Sequence, residues 1–183
     1  MKEKIKRLIE GFRQGDYKTR LSYIIMGSGS FIRGQYAKGF MYLFAQIVFN
    51  IYFFLIGIDR LKGLKTLGTT VQGKVWDEAK EIYIYSQGDN SMLFLLFGVL
   101  ALMIVIAFVL LYFRNINLAI ENQKLLEEGK TLPKFRDEVI ELFDSKFHVT
   151  ILFLPTVLTF LFTILPLIFM ILIAFTNYDK NHQ

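Results

Sequence analysis

Three stretches without a single charged side chain constrain this chain more than any other feature: residues 39–58, 92–113 and 149–175. The first, from Gly39 to Ile58, has the length of helix that matches a hydrocarbon core about 30 Å thick. The second, Met92 to Phe113, carries only Gly98 as a helix-weakening residue. The third, Val149 to Phe175, would be about 40 Å long as a straight helix, so tilt, a kink or protrusion beyond the lipid is expected. Any one of them could be a buried helix of a soluble domain. Three in 183 residues would leave too little chain to cover them. Composition agrees: 54% of residues are apolar, 20% are charged and the mean hydropathy is +0.42, above the range of an ordinary water-soluble domain. The expected fold class is an all-α integral membrane protein with three transmembrane helices at about 39–58, 92–113 and 149–175.

Lysine and arginine set the orientation. Residues 1–38 hold nine of them against three acids, a local excess of +6 beside the first span. The segment 59–91 carries five basic and five acidic residues, and 114–148 carries six and seven. The positive-inside bias therefore places the amino terminus in the cytoplasm, 59–91 outside as an extracellular loop, 114–148 inside, and the tail after Phe175 outside. The chain divides accordingly into a basic cytoplasmic or interfacial segment, 1–38, and a transmembrane region, 39–183, in the cell membrane. The basic excess is juxtamembrane and lacks a nucleic-acid-binding motif, so anionic lipid rather than DNA or RNA is the expected counterpart. No signal peptide is visible: the apolar stretch starts late, is too long for an h-region and has no small-residue cleavage site after it.

Between the spans the sequence is organised. Ile5, Leu8, Ile9 and Phe12 recur at i, i+3, i+4 and i+7 among Lys2, Lys4, Lys6, Arg7 and Arg13. That pattern makes an amphipathic basic helix suited to the headgroup layer, with a plain solvated helix as the alternative. Leu21–Ile32 is too short and too glycine-rich to span; it is read as interfacial, with a re-entrant turn as the other option. Residues 59–91 have turn glycines at 63, 68, 73 and 88, and Glu81–Tyr85 alternates like a strand, which predicts a small folded cap. There, Trp76, Tyr83 and Tyr85 face headgroups or pack within the cap. Residues 114–148 read as a helical hairpin around a turn from Gly129 to Pro133. Its second helix carries a stripe of Phe135, Val139, Leu142, Phe143 and Phe147 that is expected to dock on the chain's own membrane region, with partner docking as the alternative.

Signs of chemistry are absent. No cysteine excludes disulfides, a zinc ribbon and a thiol nucleophile, and His148 and His182 are too few for a histidine-rich metal site. There is no P-loop, Gly27-x-Gly29 fails the dinucleotide pattern because position 32 is isoleucine, and no span holds an ionisable residue. No catalytic residue, metal or cofactor is implied, and any ATP hydrolysis belongs to another subunit. The informative polar groups lie inside the spans. Gln46 and Asn50 share one face of the first span, which should look into protein because a lipid-facing amide is costly. Pro155, Thr159 and Pro166 fall within about 40° of one another on the third, with Thr163 close by. The prolines free the carbonyls of Ile151 and Phe162, which threonine hydroxyls or neighbouring helices help to satisfy. This stripe is a kinked packing face or, alternatively, a path-lining one.

Several segments resemble a known family. These are Met26-Gly-Ser-Gly-Ser-Phe-Ile-Arg-Gly-Gln-Tyr-Ala-Lys-Gly39, the run Gly88–Gly98, Lys146-Phe147, Leu152-Phe-Leu-Pro155 and Ile164-Leu-Pro-Leu-Ile-Phe-Met-Ile-Leu-Ile-Ala-Phe-Thr-Asn-Tyr-Asp179. Together they look like the amino-terminal part of bacterial maltose/maltodextrin ABC-importer permeases of the MalF type. The resemblance implies a membrane subunit that pairs with a second permease subunit, sits on ATPase subunits and accepts oligosaccharide from an extracellular sugar-binding protein. In that family the Glu-Ala-Ala loop that engages the ATPase, and most helices of the sugar path, follow the matching segment. No such motif occurs here, so the core permease domain is absent from this chain and no substrate-binding residue is carried over. The expectation is an amino-terminal piece of a longer permease, or a truncated product that cannot transport alone. The competing class is a stand-alone polytopic scaffold or regulator; it leaves the Pro-Thr span running into Ala-Phe-Thr-Asn-Tyr-Asp unexplained.

Overall fold

A computed structural model describes residues 2–70, 73–86, 88–144 and 147–174. The chain is mainly helical. The amphipathic repeat becomes α1 (Lys2–Gln14), followed by the short helices α2 (Tyr17–Leu21) and α3 (Ser28–Ile32). The first span is longer than its charge-free run: α4 (Tyr36–Tyr52), a π-turn at Phe53–Gly57 and α5 (Ile58–Thr66) run on as one 31-residue helix. A two-stranded antiparallel hairpin comes next, β1 (Gly73–Asp77) with β2 (Ile82–Ser86), in register Val75 opposite Ile84 and Trp76 opposite Tyr83. The strand read at Glu81–Tyr85 thus starts at Ile82 and has a partner.

The second span is one helix, α6 (Ser91–Glu127), of 37 residues. At about 55 Å it outlasts a hydrocarbon core of about 30 Å. The first arm of the expected 114–148 hairpin is therefore the end of the span itself, because no glycine or proline interrupts the chain between Phe113 and Glu127. Gly129, with φ +73, closes α6. Beyond it lies α7 (Phe135–Phe143), whose entry is closed from inside its first turn: the Asp137 carboxylate accepts the Lys134 N–H at 3.2 Å. Of the stripe expected to dock, Phe135, Phe143 and Phe147 are exposed and Val139 is half-buried, while the Leu142 side chain lies outside the described residues. The third span is α8 (Phe147–Thr159), a π-turn at Phe160–Ile164, and α9 (Leu165–Ala174). Pro155 stays inside regular helix, whereas the π-turn stands just before Pro166, whose ring would otherwise meet the Phe162 carbonyl.

Two compact units result, residues 1–52 with 106–151 and residues 53–105 with 152–183. In the second, α5 lies on the start of α6. A Cβ at Gly98 would come within 2.7 Å of Leu64 Cβ, so only glycine permits this approach, and the Arg60 guanidinium stacks over the Phe97 ring at 4.8 Å. The hairpin is tied at its base: the Asp89 carboxylate accepts the N–H groups of Thr69 at 2.8 Å and Thr70 at 3.0 Å. These two bonds hold the Asp89 carboxyl below its usual range. In the first unit, the core consists of Met26, Ile116, Ala119 and Ile120 together with buried Thr19, Ser22, Asn115 and Asn122. Most other large apolar residues of the spans are exposed, as lipid-facing helices require.

Candidate functional site

The densest polar arrangement lies where residues 16–38 meet the last turns of α6. Tyr112, Asn115, Ala119 and Asn122 follow helical spacing and present one face of α6 to the glycine-rich segment. Asn115 grips that segment twice: Oδ1 accepts the Gly27 N–H at 2.9 Å and Nδ2 donates to the Ser22 carbonyl at 3.0 Å. Three residues earlier on α6, the Tyr112 hydroxyl donates to the Tyr23 carbonyl at 2.6 Å. Farther along, Asn122 Nδ2 donates to Gln35 Oε1 at 2.8 Å, and Gln35 Nε2 donates to the Pro133 carbonyl at 2.8 Å. Gln35 thus links α6 to the turn that precedes α7.

Charge enters through Asp16 and Arg33. Asp16 caps α2, its Oδ1 accepting the Thr19 N–H at 2.8 Å. The same oxygen meets the Arg33 guanidinium at 2.7 Å. Arg33, whose side chain is only 1% exposed, also donates to Thr19 Oγ1 at 2.7 Å and the Ala119 carbonyl at 3.3 Å. Burial alone would push the Asp16 carboxyl up; the bonds from Thr19 and the Arg33 charge outweigh it and hold the carboxyl below its usual range. Arg33 Nε is buried without a hydrogen-bond partner among the described residues.

The glycines serve close approach. Gly27 sits at φ +79, in the left-handed region, and a Cβ there would collide with the Gly39 carbonyl oxygen at the start of the first charge-free run. The Gly27-x-Gly29 pattern is accordingly a backbone junction, not a phosphate cradle. Gln46, singled out from the sequence, completes the junction from α4: Oε1 accepts the Met26 N–H at 2.8 Å and Nε2 donates to the Ile24 carbonyl at 3.0 Å.

Asn50 is exposed one turn beyond Gln46 on the first span; Pro155, Thr159, Thr163 and Pro166 are exposed on the third, in the other compact unit. Sequence reading had counted Arg33 among the basic charges and placed Asn115 and Asn122 in a cytoplasmic loop. The legible signal was two asparagines seven residues apart just beyond an apolar run. Beside the junction, a cleft of about 290 Å³ between α1 and α6 is lined by Arg7, Glu10, Gln14, Gln123, Lys124 and Glu127 among others. Arg7 pairs with Glu121 at 3.0 Å along it. Among the described residues there is no group of histidines, cysteines and carboxylates able to hold a metal. The amides, hydroxyls and paired guanidinium of the junction bond and position backbone.

No family model matches the chain, and no solved structure matches it significantly. Curated proteins do. Over 172 residues, 93% of the chain, it is 34% identical to the maltodextrin transport system permease protein MalC of Streptococcus pneumoniae serotype 4. The chain is homologous to sugar-transport permeases. Over 165 residues it is 27% identical to the galactooligosaccharides transport system permease protein GanP of Bacillus subtilis, and over 166 residues 27% identical to that organism's maltodextrin permease MdxF. It spans about a third of these permeases' length, 36% of MalC and 35% of GanP. The match with MalC covers 93% of the chain, and among the described residues three helices are long and apolar enough to cross a membrane.

Proposed function

We propose that this chain forms part of the membrane-spanning permease subunit of an ATP-driven importer for maltodextrin-type oligosaccharides. The observation that carries the reading is the 34% identity to MalC, a permease of a maltodextrin transport system, over 93% of the chain. In this reading a second permease subunit, ATPase subunits and an extracellular sugar-binding protein complete the machine, and ATP hydrolysis falls to the ATPase. The amino terminus lies in the cytoplasm, where nine basic residues against three acids in 1–38 face anionic headgroups. The junction then anchors the amino-terminal arm at the cytoplasmic end of the first two spans.

The test is uptake in the source cell. Disrupting the coding segment for this chain should abolish import of labelled maltodextrins while leaving monosaccharide uptake intact. Unchanged maltodextrin uptake would overturn the proposal. For orientation, cysteines placed at Lys6 and at Lys80 should react with a membrane-impermeant maleimide from inside and outside respectively; the reverse pattern would sink the cytoplasmic assignment.

A further inference from the structure

We infer that the turn from Ser22 to Gly27 is embedded in the hydrocarbon of the leaflet at which the first span begins, with Ile24 and Ile25 directed at acyl chains, rather than resting on the headgroups. The inference rests on the membrane spans and is independent of the transported sugar.

Depth is the first argument. Gln46 lies about 10 Å along the helix past Gly39, where the charge-free run begins. Its side chain nevertheless bonds Ile24 and Met26 directly, at 3.0 and 2.8 Å. A side chain of that length holds the turn at nearly its own level. On α6, the level is marked by Tyr112, still within the second charge-free run, bonded to Tyr23.

The second argument is backbone accounting. Irregular backbone survives at membrane depth only where protein satisfies its polar groups. Every N–H from Ser22 to Gly27 has an acceptor: the carbonyls of Thr19, Arg20 and Leu21 for the first four, then Gln46 Oε1 and Asn115 Oδ1. The carbonyls of Ser22, Tyr23 and Ile24 are taken by Asn115, Tyr112 and Gln46, and that of Ile25 by the Ser28 hydroxyl at 2.8 Å. An aqueous turn needs none of these side chains, because water would serve.

The third argument is exposed apolar surface. Ile24 is 71% and Ile25 42% exposed, and Phe40, Phe44 and Ile47 are exposed on α4, the helix whose Gln46 bonds the turn. Lys18 and Arg20 precede the turn, where cations meet headgroup phosphates.

The chain has a single tryptophan, Trp76, so Trp76→Phe provides a silent background. In that background, Ile24→Trp and, separately, Ile25→Trp are reconstituted as full chains in phosphatidylcholine and phosphatidylglycerol vesicles. Both positions are exposed within the protein, so the substitutions disturb no packing. The expected result is blue-shifted emission, loss of most of the signal with brominated acyl chains, and little quenching by acrylamide. Strong acrylamide quenching, or quenching by a headgroup nitroxide in preference to acyl bromine, would overturn the inference. Adding Gln46→Leu to Ile24→Trp should restore acrylamide quenching, since the turn loses the bonds that satisfy it in lipid; an indole still shielded would show that Gln46 does not hold the turn there.

Discussion

Asn115 Oδ1 accepts the Gly27 N–H at 2.9 Å from a position 88 residues away in the chain. With the second bond from its amide to Ser22, this one side chain locks the amino-terminal segment onto α6. Asn115→Ala should therefore leave a buried donor and a buried acceptor unpaired, at about 1–3 kcal/mol each. Limited trypsin digestion in detergent should then cut at Lys18 and Arg20 sooner than in the parent. Equal protection would show that the arm is held elsewhere.

Gly27 and Gly34 both have positive φ, but only Gly27 is pressed against another backbone; a Cβ at Gly34 would meet nothing within 4 Å. Gly34→Ala should cost only the left-handed conformation, about 1–2 kcal/mol. Gly27→Ala adds a collision with the Gly39 carbonyl, so its unfolding midpoint should fall further. Comparing the two by thermal unfolding in the same detergent separates backbone strain from close approach, and equal midpoints would contradict the packing described.

Asp16 carries the acid sensitivity of the junction. Because its folded carboxyl titrates below the unfolded value, its contribution is complete above the ordinary aspartate pKa, about 3.9. It is lost as pH falls through the lower folded value. Asp16→Asn should weaken the arm at neutral pH by leaving the buried Arg33 charge without its anion, and should flatten the acid dependence of amide exchange in α2. A mutant that kept the parent's acid profile would exclude Asp16 as the titrating group.

The hairpin clasp is local. Asp89→Ala removes the acceptor shared by Thr69 and Thr70, so hydrogen exchange at those two amides should quicken while exchange in the middle of α6 stays unchanged. Asp89→Asn keeps an acceptor oxygen and should lie between the parent and Asp89→Ala. Exchange that quickens throughout α6 would mean that the clasp supports more than the hairpin.

Pro166 stands just after the π-turn at Phe160–Ile164. Pro166→Ala restores an amide donor, and the turn is expected to relax to regular helix, rotating α9 by about 100° relative to α8. Distances between spin labels at Phe153 and Met170 would change accordingly. An unaltered distance distribution would assign the π-turn to another cause.

The spans were legible because hydropathy and charge are local quantities: a run from Met92 to Phe113 without a charge is long and apolar enough to span lipid as a helix. The same is true of the strand alternation at Ile82–Tyr85 and the turn glycine at 129. Element ends were less legible. The second span continues to Glu127 because nothing in the chain stops a helix there, and solvation of its charged end is compatible with helix. Of the polar residues picked out by cost in lipid, Gln46 proved to be engaged with the turn from Ile24 to Met26, while Asn50 and the hydroxyls and prolines of the third span are exposed.

The amino-acid sequence by itself determined that this chain has three stretches long and apolar enough to cross a membrane, that its basic arm flanks the first, and that it is kin to sugar-transport permeases. Only the tertiary structure decided what the glycine-rich segment does. Its partners, Tyr112, Asn115 and Asn122, lie 87 to 93 residues away from the positions they bind, beyond any periodic signal. An asparagine bonded to buried backbone has the same local sequence as one bonded to water, and juxtaposition in space alone tells them apart.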